Sequence, residues 1–358
     1  MDDAGSAPVL PEVLNALRTG VEGNPSSPHT EGRDARRALD QARDACAAVL
    51  GAKRTEITFV SSGTEAINLA LFGATRTGRI VTWAAEHQAV LAAARRLQTL
   101  GRDVLIARVD ASARVDVDAV TPGTALVSVG LANNEVGTVQ PVADVIQRAH
   151  DVGALVHVDA CAGPQWVPIP AGADLISFSG HKLGAGRGGL LLVRDGVRIE
   201  PLLFGGPQEY GRRAGNEDVV SAVAIAAALN AVSSPRREAH ARTAARQSAA
   251  LRVALLELGA TLTGAEPRLP NFASGAFVDR RGEDMLLALD LAGVAVSSGS
   301  ACASGSLDPS HVLLATGLSL EQALGSLRLT TTYETTDEDV ARASEILRTV
   351  LGRVPTRG

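Results

Sequence analysis

The stretch LVHVDA at residues 155–160 has the apolar, β-branched pattern of a buried strand, and it ends in an acid, Asp159. A second strand of this kind follows in the stretch SFSGHK at residues 177–182, and polar residues and Lys182 come at its end. In sheets of parallel strands, ligands bind where the strands end. The two stretches therefore predict a parallel α/β sheet with an acid and a lysine beside a ligand.

Apolar spacing alternates between the strand period and the helix period over the first two thirds of the chain, which predicts α/β layers. We expect one mainly parallel sheet of seven strands, at residues 57–60, 79–82, 104–109, 125–129, 155–158, 175–178 and 190–193. Beyond residue 258 the pattern predicts strands at 272–278, 294–297 and 327–331 and helices at 283–292 and 337–351. The expected division is a large domain at 12–235 and a smaller α+β domain formed by 1–11 and 236–358.

Composition excludes several classes of partner. The 358 residues carry a net charge of −5 without a persistent block of like charges, which favours a small molecule over nucleic acid or an anionic membrane. The most apolar stretch, 222–232, is too short to span a bilayer, so we expect a cytoplasmic protein. Three widely spaced cysteines, Cys46, Cys161 and Cys302, argue against a disulfide framework and a structural zinc site, and no metal is expected.

Residues 61–65, SSGTE, follow a predicted strand and open a helix. Backbone amides at a helix N-terminus, beside Gly63 and the Thr64 hydroxyl, suit a phosphate, although an ordinary N-cap explains this motif alone. Asp159 and Lys182, further along the chain, are a second observation in favour of a phosphate-bearing cofactor. An enzyme that uses pyridoxal phosphate (PLP) needs a lysine for the internal Schiff base and a carboxylate that keeps the pyridine nitrogen protonated. Lys182 and Asp159 fit these two parts.

From its first residues to its last helix, the chain resembles the cysteine desulfurases, a branch of the class V aminotransferase family with the fold type I architecture of PLP-dependent transferases. The matching stretches occur in order as GNPSSPH (23–29), SGTE (62–65), EH (86–87), NNEVG (133–137), HVDA (157–160), SGHK (179–182) and SSGSAC (297–302). The resemblance implies the sheet and the smaller domain described above, PLP as the cofactor, L-cysteine as the substrate and a homodimer.

The resemblance also implies roles for single residues. Lys182 would form the Schiff base, Asp159 would pair with the pyridine nitrogen, and His87 would stack on the ring and assist proton transfer. The phosphate would be held by Gly63, Thr64, Ser179 and His181, with Asn216 of a partner subunit standing where relatives have Thr. Asn134 would lie near the cofactor oxygen and the substrate carboxylate. Arg328 would be the main carboxylate clamp, since its planar fork binds carboxylates bidentately, and His29 would also contact substrate.

Cys302 decides which reaction follows. Residues 297–306 hold five serines and two glycines around this thiol, a composition that favours an exposed loop over core packing. We infer that Lys182 removes the α proton of L-cysteine and that the Cys302 thiolate takes its sulfur, which leaves a persulfide and releases alanine. An unperturbed thiol has a pKa of about 8.5, so activation by a cation or base is expected. A sulfur-acceptor protein must then remove the sulfur.

Three departures from the family pattern bear on the cofactor. Ala162 stands where the family has a Gln that contacts the cofactor oxygen, and Gln165 is a candidate replacement. The stretch 205–217 has Tyr210 for an Arg and Asn216 for a Thr. Cys161 is expected to be packing behind the cofactor, and Cys46 to be packing on a helix face.

Two other functions remain open at this stage. The chain could be another class V lyase or aminotransferase, such as a selenocysteine lyase, which would not need Cys302. It could also be a catalytically weak scaffold that binds a sulfur acceptor. The acceptor is equally open among iron-sulfur assembly, tRNA or DNA thiolation and secondary metabolism.

Overall fold

The computed structural model describes residues 1–18, 23–74, 77–233, 236–298 and 308–352. Cys302 and most of its predicted loop lie outside the described residues. The described part contains two β-sheets and helices that pack on their faces.

The larger sheet has seven strands, as predicted. They are β1 (Ile57–Val60), β2 (Arg79–Trp83), β3 (Val104–Ala107), β4 (Thr124–Gly130), β5 (Leu155–Asp159), β6 (Leu175–Ser179) and β7 (Gly189–Val193), in the spatial order β1-β7-β6-β5-β4-β2-β3. The five strands β2 to β6 are parallel. Strand β7 is antiparallel to both of its neighbours, β1 and β6. The prediction of one mainly parallel sheet is therefore confirmed.

Helices cover both faces of this sheet. The helices of the chain are α1 (Pro11–Leu17), α2 (Thr30–Val49), α3 (Gly63–Gly73), α4 (Gln88–Thr99), α5 (Val142–Asp151), α6 (Gly180–Leu183), α7 (Val219–Val232), α8 (Arg236–Glu257), α9 (Gly282–Leu291), α10 (His311–Ala315), α11 (Leu320–Leu324) and α12 (Asp337–Leu351). Side chains alternate along a strand, so Val127 packs with α2, α5 and α7 on one face while Leu126 packs with α3 and α4 on the other. Cys46 on α2 is fully buried in the first of these layers, which confirms its packing role.

The smaller sheet is antiparallel, in the order β10 (Ser326–Thr330), β9 (Phe272–Ala276) and β8 (Thr261–Leu262). Helices α8, α9 and α12 pack against it. The strand expected at 294–297 does not form, and that prediction is wrong. Val294 and Val296 alternate because both pack into the core, but only Ser297 pairs with a neighbouring strand, through an isolated bridge to Arg328. The two-residue strand β8 was too short for its pattern to be recognised.

Helix α7 is apolar on all sides and mostly buried, which is typical of a core helix. Among the described residues, no single helix is long and apolar enough to cross a membrane. Helices α7 and α8 meet that test only as a pair, bent by 74° at their junction.

The first ten residues connect the smaller sheet to helix α6. Asp2 forms a parallel bridge with Thr330 of β10, while the amide of Ala7 donates to the carbonyl of His181 in α6 (3.0 Å). This segment therefore contacts both the smaller sheet and the helix that carries Lys182. The division at residues 12–235 stays a proposal.

Candidate active site

Four of the predicted site residues line one pocket at the carboxyl ends of the parallel strands. Lys182 follows β6, Asp159 ends β5, Asn134 follows β4 and His87 follows β2. Glu86 and Cys161 line the same pocket. Because parallel strands end at the same edge of a sheet, residues far apart in sequence meet there.

Asp159 is buried, and a chain of hydrogen bonds fixes its orientation. Its Oδ1 accepts from the amide of Cys161 (3.0 Å) and from the hydroxyl of Ser177 (3.2 Å). His157 bonds to Ser177 through Nε2 (3.1 Å) and to Ser128 through Nδ1 (2.9 Å). Complete burial lowers the pKa of His157 to about 4, so this ring is neutral at pH 7. His157 therefore orients the acid through neutral hydrogen bonds.

Glu86 is a second buried carboxyl group in the pocket, and its sequence motif predicted no role for it. Its Oε1 accepts from the amide of Gly130 (3.1 Å). Burial, and secondarily the charge of Asp159, raises the pKa of Glu86 to about 8. Glu86 is therefore mostly protonated at neutral pH.

Glu86→Gln is expected to stabilise the protein at alkaline pH. Glu86 has a folded pKa above its unfolded pKa, so its contribution to stability is greatest below the unfolded value and is lost as pH rises to about 8. Gln keeps the acceptor for Gly130 but does not ionise. We expect a gain of roughly 1–3 kcal/mol at pH 9 and a smaller gain at pH 5, measured by urea unfolding.

The matched control for this prediction is Glu283→Gln, which removes an exposed carboxylate at the start of α9. This control should show no comparable gain at either pH. An equal gain at pH 5 and pH 9 for Glu86→Gln would contradict the raised pKa.

His87 is the N-cap of α4, and its Nδ1 accepts from the amide of Ala89 (3.1 Å). Burial, and then the charge of Lys182, lowers the pKa of His87. The ring is therefore neutral at pH 7, and its proton resides on Nε2 because Nδ1 is an acceptor. His87 thus fills the capping role expected of a histidine at a helix start while it also lines the pocket.

Lys182 lies in the short helix α6, half-buried, and Gly184 ends this helix with a left-handed conformation (φ 78°). The side chain of Gln165 donates to the carbonyl of Lys182 (3.0 Å). The amine of Lys182 makes no hydrogen bond or ion pair with any residue that the structure describes. The backbone of the lysine is held while its amine is available to a ligand.

The start of α3 lies beside the pocket. Ser62 caps this helix, so the N-cap interpretation of its motif is correct. A Cβ at Gly63 would lie 2.5 Å from Sγ of Cys161, which lines the pocket, and 2.9 Å from Cβ of Ser179. Ser179 in turn bonds through its hydroxyl to Nδ1 of His181 (2.9 Å). Gly63, Ser179 and His181 are thus brought together, with Thr64 exposed in the first turn of α3.

Arg328 lies in the middle of β10 with its side chain only 7% exposed. Its Nη1 donates to the backbone carbonyl of Asn134 (2.7 Å), and its Nη2 forms an ion pair with Oδ1 of Asp2 (2.8 Å). Arg328 is thereby joined to the pocket through Asn134. The contact with Asp2 was not foreseen.

His29 and Asn216 do not line this pocket. His29 caps α2, is exposed and contacts Glu31. Asn216 is also exposed, next to Glu217, which pairs with Arg36 of α2 (2.9 Å). Both residues therefore lie near the α2 side of the protomer, and their assigned roles stay predictions.

The class V aminotransferase family matches residues 1–343. The chain is 38% identical to the cysteine desulfurase of Trichormus azollae over 374 residues, covering 99% of this chain and 93% of that protein. It belongs to the cysteine desulfurases of this family. A solved NifS-like protein superposes with a TM-score of 0.90 at 32% identity, covering 98% of both chains. SspA in complex with cysteine superposes with a TM-score of 0.80 at 29% identity, covering 94% of this chain and 99% of the other.

The departures from the family pattern have visible consequences in this desulfurase. Ala162 lines the pocket, while Gln165 bonds to the backbone of Lys182. Gln165 thus supports the lysine-bearing helix, and its Oε1 is buried without a partner among the described residues. Cys161 is buried, which raises the pKa of its thiol well above the usual value and agrees with a packing role.

Tyr210 lies in a strained turn of the desulfurase. Both Glu209 (φ 49°) and Tyr210 (φ 57°) have left-handed backbone conformations. Glu209 is buried, and its carboxylate binds Arg43 through two hydrogen bonds of 2.6 and 2.8 Å and accepts from the amide of Phe59 (2.8 Å). The guanidinium of Arg43 also lies 5.2 Å from the ring of Tyr210. This buried pair holds the segment 205–217 against the large sheet.

Two further contacts of the desulfurase site escaped the sequence analysis. His311 bonds through Nε2 to the carbonyl of Glu86 (2.8 Å) and through Nδ1 to Gln88 (2.9 Å). Glu135 is buried, which raises its pKa, and it accepts a hydrogen bond from Ser310. Both contacts attach the start of α10 to the pocket wall. Glu86 lies in the motif EH and Glu135 in the motif NNEVG, and these motifs were the sequence feature that could have indicated the two contacts.

Proposed function

We propose that this cysteine desulfurase carries PLP on Lys182 and transfers the sulfur of L-cysteine to Cys302. The observation that carries the proposal is the convergence of Lys182, Asp159, His87 and Asn134 on one pocket beside the N-terminus of α3. The identity to curated cysteine desulfurases over almost the whole chain supports the same reaction.

The residues present fit PLP by their chemistry. The unpartnered amine of Lys182 suits an aldehyde, and the buried carboxylate of Asp159 suits a pyridine nitrogen. A Cβ at Gly63 would clash with Cys161 and Ser179, so glycine lets the N-terminus of α3 lie close against the pocket, and such a helix N-terminus suits a phosphate. Within the described ranges, no group of three or more His, Cys, Asp or Glu side chains could hold a metal ion.

When bound, PLP accepts the electron pair left on the substrate as its α proton departs. In this chain, Lys182 Nζ is the group proposed to take that proton, with His87 as an additional proton carrier through Nε2. Arg328 and Asn134 hold the substrate carboxylate and orient the α carbon. The protein therefore supplies positioning and proton transfer.

The sulfur transfer balances without an added oxidant. The thiolate of Cys302 forms a bond to the sulfur of L-cysteine as the bond from that sulfur to the β carbon breaks. The carbon fragment takes up protons and leaves as alanine, and the enzyme retains a persulfide. A thiol-bearing acceptor protein then removes the terminal sulfur by exchange.

We further propose that the enzyme acts as a homodimer. Neither His29 nor Asn216 lines the pocket of its own protomer, as expected of residues that complete the site of a second subunit. Exposed apolar side chains lie shortly before Asn216 in the sequence, including Phe204 at 86% exposed and Leu203 at 48%. An apolar patch of this kind is typical of a surface that is covered in an assembly.

The proposed reaction is tested by mass spectrometry of the protein after incubation with L-cysteine. We expect one additional sulfur atom on the peptide that contains Cys302, together with alanine in the solution. The peptides that contain Cys46 and Cys161 serve as internal controls, because both thiols are buried and have raised pKa values. Alanine release without any sulfur on Cys302 would refute the proposal.

A further inference from the structure

The ion pair between Asp2 and Arg328 places a carboxylate of the protein on the group proposed to bind the substrate carboxylate. Asp2 Oδ1 lies 2.8 Å from Nη2 of Arg328. The two residues are separated by 326 positions in sequence. We propose that Asp2 is an internal occupant of the carboxylate site that competes with the substrate and sets its affinity. This inference rests on the proposed function, because it takes Arg328 as the carboxylate clamp.

The backbone brings Asp2 to Arg328. Asp2 bridges to Thr330, and the amide of Thr330 donates to the carbonyl of Met1 (2.9 Å). Thr330 is two residues after Arg328, so both face the same side of β10. These contacts use only main-chain atoms of Met1 and Asp2. The Asp2 side chain can therefore turn away while the segment stays paired to the strand.

Both terminal nitrogens of Arg328 already donate a hydrogen bond while Asp2 is in place. One Nη donates to the fixed carbonyl of Asn134, the other donates to Asp2, and Nε is buried without a partner among the described residues. A bidentate carboxylate needs two neighbouring N–H groups of the guanidinium. The carbonyl of Asn134 belongs to the main chain, whereas the Asp2 side chain is 34% exposed and can move. Asp2 is thus the partner that a ligand can displace.

Charge leads to the same conclusion. A second carboxylate on this guanidinium would lie within a few Å of the first, where like charges repel. Asp3, Glu135 and Asp2 surround Arg328 with acidic side chains, and Arg328 lowers the pKa of both Asp3 and Glu135 against the larger effect of burial. An incoming carboxylate therefore binds more tightly once Asp2 has left. The apparent affinity is reduced by the fraction of molecules in which Asp2 occupies the site.

Gly5 accommodates the Asp2 carboxylate. A Cβ at this position would lie 2.6 Å from Asp2 Oδ2 and 3.3 Å from the carbonyl oxygen of Asp2. The φ of Gly5 lies outside the left-handed region, so alanine is compatible with the backbone. Gly5→Ala therefore displaces the carboxylate without removing its charge from the chain.

The test measures L-cysteine kinetics and inhibition by propionate, a carboxylate that lacks the amino group and thiol. For Asp2→Asn we expect KM for L-cysteine to fall about three- to tenfold while kcat stays unchanged. Propionate should inhibit this variant more strongly, by a similar factor. Gly5→Ala should shift both values in the same direction. Calorimetric titration of propionate into the PLP-free protein gives a readout that is independent of turnover.

Asp44→Asn is the matched control, because it removes an exposed carboxylate from the ion pair with Arg54. An unchanged or raised KM in Asp2→Asn, with propionate binding unchanged or weakened, would overturn the competition. Arg328→Lys keeps the charge but loses the planar fork, and it should raise KM at least about tenfold. If Arg328→Lys leaves KM unchanged, the clamp role in the proposed function fails. If only Asp2→Asn is without effect, the clamp role stands and the role of Asp2 fails.

Discussion

Lys182→Ala is expected to abolish alanine production from L-cysteine, with a loss of at least about 10³-fold in rate. The variant removes both the group that would hold the cofactor and the group that would take the α proton. The fold should survive, because Gln165 contacts the main chain of residue 182 and the lysine side chain is half-buried without a partner among the described residues. Alanine formation is followed by chromatography, and cofactor attachment by absorbance.

The small number of lysines in the chain provides a direct control for this experiment. The sequence contains two lysines, Lys53 and Lys182. Lys53 is exposed and paired with Asp195, so Lys53→Ala should retain activity and cofactor. Borohydride reduction followed by peptide mapping should label residue 182 alone. A label on Lys53, or full activity in Lys182→Ala, would contradict the assignment.

Cys302→Ser is expected to abolish both the persulfide and alanine release, because a hydroxyl cannot accept sulfur from a thiol. The variant should still bind PLP and L-cysteine, since the described residues proposed for binding are elsewhere. An alkylating reagent should modify one thiol in the native enzyme and none in this variant, because burial raises the pKa of Cys46 to about 12 and that of Cys161 well above its usual value.

The outcome separates the enzyme classes that the sequence left open. Sulfide and alanine production retained in Cys302→Ser would assign the chain to lyases that eliminate sulfur without a carrier thiol. Cys46→Ala is a suitable comparison, because Cys46 is fully buried on α2 and does not line the pocket. Its activity should be retained, with a modest loss of stability.

Local patterns predicted much of the architecture. The apolar periodicity located all seven strands of the large sheet, and the helices Val142–Asp151 and Asp337–Leu351 have the predicted bounds. The order of the strands in the sheet could not be predicted from these local patterns, because it depends on pairing between distant segments. The error at 294–297 has this cause: alternation indicates which side chains are buried but not whether a neighbouring strand is available.

The pocket residues that could be predicted are those in motifs at the end of a predicted strand, such as Asp159 and Lys182. Two contacts around the pocket were not predicted. Asp2 reaches Arg328 because Met1 and Asp2 pair with Thr330 of β10, and His311 reaches Glu86 because α10 packs against Ala85 and Val136 in the loops after β2 and β4. Such contacts carry no local sequence signal, since neither partner lies in a periodic pattern that points to the other.

The antiparallel strand β7 has a consequence for how the chain folds. Thr58 of β1 pairs with Leu191 of β7, and β7 is also the only strand that joins β1 to the rest of its described sheet. During synthesis, β1 therefore stays unpaired and apolar until residue 193 has left the ribosome. Strands β2 to β6 can pair one after another as they are synthesised. Long-range closure of this kind slows folding and exposes an aggregation-prone edge. We expect β1 to be the last strand of the large sheet to be protected from hydrogen exchange during refolding.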